Sequence, residues 1–147
     1  INDINYLLAV TSNNEIYYSS NEGLSWSLNS TMDVGLYGVS IGSNGNAFVC
    51  GDAYQIYYTT IPGHTWTAVS SSAITGTGQF YDISTYDGDN VIVVGSRGKI
   101  FYSSTGGIDW TATDSKASTS TIIYSVAHGS SSVAIAAGAS SYGSAEF

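Results

Sequence analysis

The sequence predicts an all-β protein: a β-propeller-like array of four-stranded antiparallel blades, with about three to three and a half blades in the chain. Two observations predict this fold. An eleven-residue motif recurs without gaps, and strand-like segments lie in a fixed order between its copies. The copies are Ile16–Trp26, Ile56–Trp66 and Ile100–Trp110. Their tryptophans lie 40 and 44 residues apart, and one propeller blade has this length.

Each copy of the motif predicts a β-hairpin. Its first residues are Ile followed by two aromatic residues, a composition that favours strands. A Gly three residues before each Trp can adopt the positive φ that a tight turn needs. We therefore assign structural roles in these hairpins to the repeated Ser/Thr, Gly and Trp positions. They are Ser19, Gly23, Trp26, Thr59, Gly63, Trp66, Ser103, Gly107 and Trp110.

Two further strands precede the hairpin in each unit. One is almost entirely apolar, as expected of an inner strand covered on both faces; these segments are 7–10, 47–50, 91–94 and 133–136. The other is shorter and alternates, which indicates one buried face; these segments are 36–39, 80–83 and 123–126. Each unit therefore has the order short strand, apolar strand, Ile-Tyr-Tyr strand and Trp strand, named A, B, C and D.

The strand order predicts one repeat domain over residues 1–147 with incomplete blades at both ends. The blades are a partial blade at 1–34, full blades at 35–78 and 79–121, and a partial blade at 122–147. Such ends leave open sheet edges, which natural proteins avoid exposing. Three explanations stay open. The chain is part of a longer propeller, or strands A and B of one copy complete the first blade of the next, or the array is solenoid-like.

Composition excludes several partners. The chain has 3 Lys and Arg against 11 Asp and Glu, with a net charge of -8. Three cations cannot neutralise a run of phosphates, so we expect no nucleic acid and no docking on anionic lipid. No apolar run is long enough to span a bilayer, so membrane insertion is not expected. Cys50 is the single cysteine, and its apolar neighbours predict a small buried side chain.

The repeated motif resembles the Asp-box, or BNR, repeat of sialidase-like, sortilin-like and photosystem-assembly-factor-like propellers. The Ser/Thr, Gly and Trp positions are retained in all three copies. The defining aspartate is replaced by Asn21, Ile61 and Thr105. The resemblance implies that the box is a folding device on the outer hairpin, where its acid bonds turn amides. Asn21 and Thr105 can still accept such bonds, whereas the second turn must rely on Pro62 and Gly63.

The resemblance carries no catalytic residue to this chain. Sialidases of this type use three arginines, and the chain has only Arg97. Propeller glycosidases need two closely placed carboxylates, and no two can be paired from the sequence. The available residues are Asp33, Asp52, Asp82, Asp87, Asp89, Asp109 and Asp114. We therefore expect a protein that is not an enzyme, with no catalytic residues.

No metal or cofactor is expected either. The segment Asp87–Asn90 resembles part of a calcium loop but lacks the distal Glu and the spaced ligands of an EF-hand. It aligns with an acid-free turn at 43–46, so a plain β-turn is the better interpretation. His64 and His128 occupy non-equivalent blade positions and have no cysteine partners, so a zinc site is not predicted.

The aromatic residues have two interpretations. Tryptophans that recur at one structural position are more often packing residues than ligand platforms. Alternation along strand C places two sets of aromatic residues on opposite faces. We expect one set to be partly exposed and name as candidate binding residues Tyr18, Tyr58 and Tyr102. Asn29 begins a sequon, and together with the Ser/Thr clusters it suits a glycosylated protein that is extracellular or on the cell surface.

These features predict a structural module that assembles with copies of itself or with adjacent blades of a longer chain, such as a cell-surface or filament protein. The alternative is a lectin-like propeller that binds glycans through repeated aromatic and polar positions, with avidity from multivalency. A fragment of a propeller glycosidase is the third hypothesis, and it requires two acids converging in one pocket.

Overall fold

The computed structural model describes residues 6–113 and 115–140, and these residues form thirteen strands and no helix. Consecutive strands pair antiparallel in four sheets. The first contains β1 (Leu7–Val10), β2 (Glu15–Ser19) and β3 (Ser27–Thr31). The second contains β4 (Leu36–Ile41), β5 (Asn46–Gly51), β6 (Ile56–Thr60) and β7 (Thr67–Ala68). The third contains β8 (Phe80–Thr85), β9 (Val91–Gly95), β10 (Ile100–Ser103) and β11 (Thr111–Ala112). The fourth contains β12 (Thr121–Ser130) and β13 (Val133–Ser140).

The sheets fan out from their A strands, as propeller blades do. Strands β4, β8 and β12 contact one another in series, and β1 contacts β4. Side chains interleave between neighbouring sheets, so each space between two sheets holds its own apolar core. The predicted fold class, an all-β array of four-stranded blades, is confirmed.

The two central B strands, β5 and β9, each supply both cores beside them. In β5, Val49 packs towards the first sheet, whereas Phe48 and Cys50 pack towards the third. This arrangement explains why the B segments are almost wholly apolar, since neither face of such a strand reaches water. The predicted burial of Cys50 is confirmed, and its side chain is fully buried.

A glycine lies at the same place along strand B in three sheets. A Cβ added at Gly51, Gly95 or Gly138 would overlap a backbone carbonyl near the start of the adjacent A strand, so only glycine fits there. This position shows that Ala134–Ala137 is the true counterpart of 91–94. The sequence alignment had used 133–136, one residue too early, because an alanine-rich strand offers no side chain that fixes the register.

The D and A strands differ from their predicted extents. Strands β3, β7 and β11 each begin one residue after the motif Trp instead of including it. Strands β7 and β11 have two residues each. Strand β12 has ten residues and begins at Thr121, a residue that the predicted boundaries give to the third blade.

Candidate functional site

The first motif turn is held by two polar side chains. Ser19 Oγ accepts hydrogen bonds from the amides of Asn21 and Gly23, at 3.3 and 2.9 Å. Asn21 Oδ1 accepts the Ser25 amide at 3.0 Å. The amide oxygen of Asn21 therefore does what a box carboxylate would do, because both present an acceptor to the same backbone N–H.

The third turn repeats this pattern with a hydroxyl. Ser103 Oγ accepts the amides of Thr105 and Gly107, at 3.2 and 3.0 Å, and Thr105 Oγ1 accepts the Asp109 amide at 2.9 Å. The second turn differs. It contains a cis peptide bond before Pro62, and the Gly63 amide donates to the backbone oxygen of Thr60 at 2.7 Å. The second and third turns also bond to the loop between strands A and B of their own sheets, where the amides of Ile61 and Gly106 donate to the backbone oxygens of Gly45 and Asp89.

The three tryptophans are equivalent in sequence and unequal in burial. Trp110 is 5% exposed and lies in the core between the second and third sheets, with its Nε1 donating to the Gly107 oxygen at 2.9 Å. Trp66 is half-buried against the first sheet. Trp26 is 43% exposed. A preceding sheet buries the tryptophan, and among the described residues none precedes Trp26.

The proposed binding tyrosines do not form one open face. Tyr58 packs against the core that contains Trp110, and Tyr18 meets His64 edge-on at 5.3 Å between ring centroids. Each is therefore covered by the hairpin of the following sheet. Tyr102 is 42% exposed, because the fourth sheet has no hairpin in the described residues. The exposure of each of these three tyrosines therefore depends on whether a hairpin of the following sheet covers it.

An open groove of about 220 Å³ lies where that hairpin would sit. We call it the end groove; its lining includes Asn90, Ile92, Tyr102, His128 and Ala134. The matching place one sheet earlier contains Phe48 and Tyr58, and there Gly107 and Trp110 of the next hairpin cover it.

The glycosylation candidate Asn29 is engaged between two sheets. Trp66 Nε1 donates to Asn29 Oδ1 at 2.8 Å, and Asn29 Nδ2 lies 2.7 Å from His64 Nδ1. An indole N–H can only donate, which fixes the orientation of the Asn29 amide. Its Nδ2 must therefore donate to an unprotonated Nδ1 of His64. Glycosylation stays a prediction, and a glycan on Nδ2 would take the place of one of its two N–H hydrogens.

A row of tyrosines along the A strands is the feature that the sequence analysis missed. Tyr37, Tyr81 and Tyr124, called the tyrosine row, each occupy a β-bulge at the same place in β4, β8 and β12. Their ring centroids lie 5.7 and 5.5 Å apart. Tyr37 and Tyr124 are exposed, and Tyr81 between them is half-buried. Bulges redirect side chains, and here they turn three rings into one surface strip.

Polar groups beside the tyrosine row are already paired. Tyr37 OH donates to Asp52 Oδ1 at 3.1 Å. Burial, followed by this hydrogen bond and the Asp52 charge, raises the Tyr37 pKa. Asp82 Oδ2 accepts the Ser125 hydroxyl and the Val126 amide, each at 2.9 Å, and so ties β8 to β12. The tyrosine row therefore presents aromatic rings and hydroxyls at the surface. Asp82 instead holds the third and fourth sheets together.

Two further titratable side chains, Asp87 and His128, form hydrogen bonds to neighbouring residues of the fold. Asp87 accepts hydrogen bonds from the amides of Asp89 and Asn90, so it caps its own turn. The hydrogen bonds from Asn90 are the main reason that the pKa of the Asp87 carboxyl is lowered. His128 Nδ1 lies 3.2 Å from Ser84 Oγ, and His64 lies in another sheet. Residues 6–113 and 115–140 contain no group of three or more His, Cys, Asp or Glu placed to hold a metal. They also contain no helix long and apolar enough to cross a membrane. Asp114 lies outside the described residues.

Comparison with known proteins supports the fold alone. No protein family matches the chain, and no curated protein matches it. Among solved structures, YCF48 bound to D1 peptide is 18% identical with a TM-score of 0.64 over 75% of this chain and 37% of that one. An ancestral GH74 enzyme is 20% identical with a TM-score of 0.63, over 85% of this chain and 19% of that one. YCF48 from Cyanidioschyzon merolae is 16% identical with a TM-score of 0.51, over 92% and 62%. The chain thus spans about a fifth to three fifths of their lengths and shares a propeller fold with them.

Proposed function

We propose that the chain is a non-enzymatic structural module of an extracellular or cell-surface protein, and that it self-associates through its end sheets. The observation that carries this proposal is the open end of the fourth sheet. Within the described residues β13 pairs only with β12, and its Ile135 is 75% exposed. The equivalent residues Phe48 and Ile92 pack in cores between sheets. An apolar residue at this position therefore marks a surface that another blade covers.

Three further features support the proposal. The end groove lies beside β13, so a groove with both polar and apolar lining adjoins an open strand edge. The Ser103 and Ser19 turns bond as degenerate Asp-box turns would, which favours membership of that repeat class and a scaffold role for its hairpins. The sparse charge, the Ser/Thr clusters and the Asn29 sequon favour an extracellular location. The same open edge would serve equally to join blades within a longer surface protein.

Sedimentation equilibrium over a wide range of protein concentrations tests the self-association. We expect the mass to rise above the 15.4 kDa of one chain. The variant Ile135→Lys should remain monomeric, because a charge on an exposed strand face leaves the monomer intact but cannot be buried in an interface. A matched Tyr86→Lys variant changes another exposed large hydrophobic residue away from β13 and should still associate. A single-chain mass at every concentration would reject the proposal.

Glycan binding is the second candidate function, and the tyrosine row is the observation that favours it. Partly exposed tyrosine rings combine apolar surface with a hydroxyl that can form hydrogen bonds. A glycan array probed with the chain and with Tyr81→Ala tests this function. Binding that is lost in the variant would support it, and an array without any signal would remove it.

A further inference from the structure

Two strands of the chain occupy the same position in the blade. Cross-strand pairs place Leu8 opposite Tyr18, Phe48 opposite Tyr58 and Ile92 opposite Tyr102. The register of β12 with β13 gives Ile135 this position in the fourth sheet. Strands β1 and β13 are therefore both B strands. The first sheet has B, C and D, and the fourth sheet has A and B.

We propose that the copies associate by strand exchange: β13 of one copy displaces β1 of the next and pairs with its β2. The result is a complete blade of β12 and β13 from one copy and β2 and β3 from the other. This proposal rests on the self-association proposed above and specifies its partner surfaces. In this arrangement the first hairpin of a second copy, β2 and β3, fills the end groove and pairs with the edge of β13.

The number of cross-strand pairs indicates that β1, and not β13, leaves its own sheet. Strand β1 pairs with β2 over four residues, whereas β13 pairs with β12 over eight positions. Releasing β1 therefore breaks about half as many cross-strand pairs as releasing β13. Every residue of β1 is at least partly exposed. The exchange then returns the lost pairs, because β13 offers the same edge to β2 that β1 offered.

Ile135 of β13 and Leu8 of β1 occupy equivalent positions, so one can replace the other in the exchanged blade. Leu8 packs against the core that contains Leu36 and Val49. In the exchanged blade Ile135 takes the place of Leu8 against that core. This residue is 75% exposed in the single chain, so the exchange buries a large apolar side chain in a site that already accepts one.

The exchange also places the first hairpin of the second copy beside the end groove. Trp110 is buried beside Phe48 and Tyr58 because its sheet follows theirs. Trp26 is exposed in the single chain, and so is Tyr102 at the end groove. In the exchanged blade Trp26 of the second copy lies over Ile92 and Tyr102, as Trp110 lies over Phe48 and Tyr58. One step thus covers both exposed aromatic residues.

The exchange also predicts the size of the assembly. A head-to-tail contact of this kind generates either a closed ring or an open filament. Each copy would contribute the second and third sheets and one shared blade, so two copies give six blades. Propellers close with about four to eight blades. We therefore expect the 147 residues by themselves to form a closed dimer with twice the mass of one copy.

A disulfide lock tests the exchange directly. Ala9 pairs with Tyr17 across β1 and β2, and paired residues in antiparallel strands lie within disulfide reach. Oxidised Ala9→Cys/Tyr17→Cys should remain monomeric because β1 cannot leave, and reduction of the same sample should restore the dimer. If the oxidised variant still dimerises while the unmodified chain does so too, strand exchange is wrong and self-association stands.

A second pair reports the exchanged partner. Ala136 stands in β13 where Ala9 stands in β1, so Ala136→Cys/Tyr17→Cys should form a disulfide between chains. A band of doubled mass on a non-reducing gel is the expected result. Its absence from a chain that sediments as a dimer would overturn the proposal, and Tyr17→Cys alone is the matched control.

A variant without new cysteines gives an independent measurement. Leu8→Ala weakens β1 in the monomer but leaves the exchanged blade unchanged, because Ile135 replaces Leu8 there. The dimer dissociation constant should therefore fall by about tenfold or more. An unchanged or increased dissociation constant would contradict the exchange, whatever the cysteine pairs show.

Discussion

Replacing equivalent tryptophans tests whether the spaces between sheets hold the fold together. Trp110→Ala removes a side chain that is 5% exposed and packed between the second and third sheets. Truncating a buried tryptophan costs about 3–5 kcal/mol, from lost burial and from the cavity that remains. Trp26 occupies the same motif position but is 43% exposed. Its truncation should cost about 1–2 kcal/mol in the monomer, because part of the side chain already contacts water and the site opens to solvent.

Urea unfolding followed by circular dichroism measures both losses. The experiment requires protein concentrations low enough to keep the chain monomeric, because Trp26 becomes buried in the proposed dimer. A domain of this size has a total stability of about 5–15 kcal/mol, so the Trp110 variant should show a large fall in its urea midpoint. Equal losses for the two variants would refute the reasoning that the preceding sheet, and not the motif itself, determines the energetic role of each tryptophan.

Three further predictions concern single polar side chains. Ser103→Ala leaves the Thr105 and Gly107 amides without their acceptor and should lower the unfolding free energy by about 1–3 kcal/mol; an unchanged urea midpoint would contradict this role. Burial raises the pKa of the Cys50 thiol well above its usual value, so a thiol reagent should label the native chain only as fast as it unfolds; rapid labelling would contradict it. Desolvation lowers the pKa of the His128 imidazole below 6.5. The neutral side chain therefore contributes to the free energy of unfolding above about pH 6.5, and this contribution is lost as the pH falls through the lowered folded-state pKa. Urea midpoints between pH 5 and 7.5 should show this fall, and His128→Asn should flatten it; an equally steep profile in the variant would refute the assignment.

Repetition made the fold predictable from sequence. Three ungapped copies of a hairpin motif revealed the period, and the apolar B segments revealed strands that are covered on both faces. The turns were also foreseeable, because the acceptor roles of Asn21 and Thr105 depend only on residues a few positions away. Local chemistry of this kind is encoded within each unit. The structure adds how successive units face one another.

Burial of the motif aromatics could not be predicted in the same way. Trp26 and Trp110 are the same residue type at the same motif position, yet one is exposed and the other is buried. Their difference arises from which sheet lies in front of each hairpin, a property of the array that no local pattern records. The tyrosines at 18, 58 and 102 differ for the corresponding reason, since each depends on the hairpin that follows.

The tyrosine row was missed because it depends on β-bulges. A bulge inserts one residue and breaks the alternation that predicts which side chains share a face. The signal was present as a Tyr in second place in each of the segments 36–39, 80–83 and 123–126. Recognising it would have required noticing that a recurring position carried the same aromatic residue three times, and then asking where neighbouring blades place it.

Sedimentation of the unmodified chain beside oxidised Ala9→Cys/Tyr17→Cys tests the central claim most directly, that the two incomplete end sheets complete each other. We expect a mass of twice 15.4 kDa for the unmodified chain and 15.4 kDa for the locked variant, with the dimer restored on reduction. A single-chain mass for both proteins at every concentration would contradict the claim that these sheets are partners.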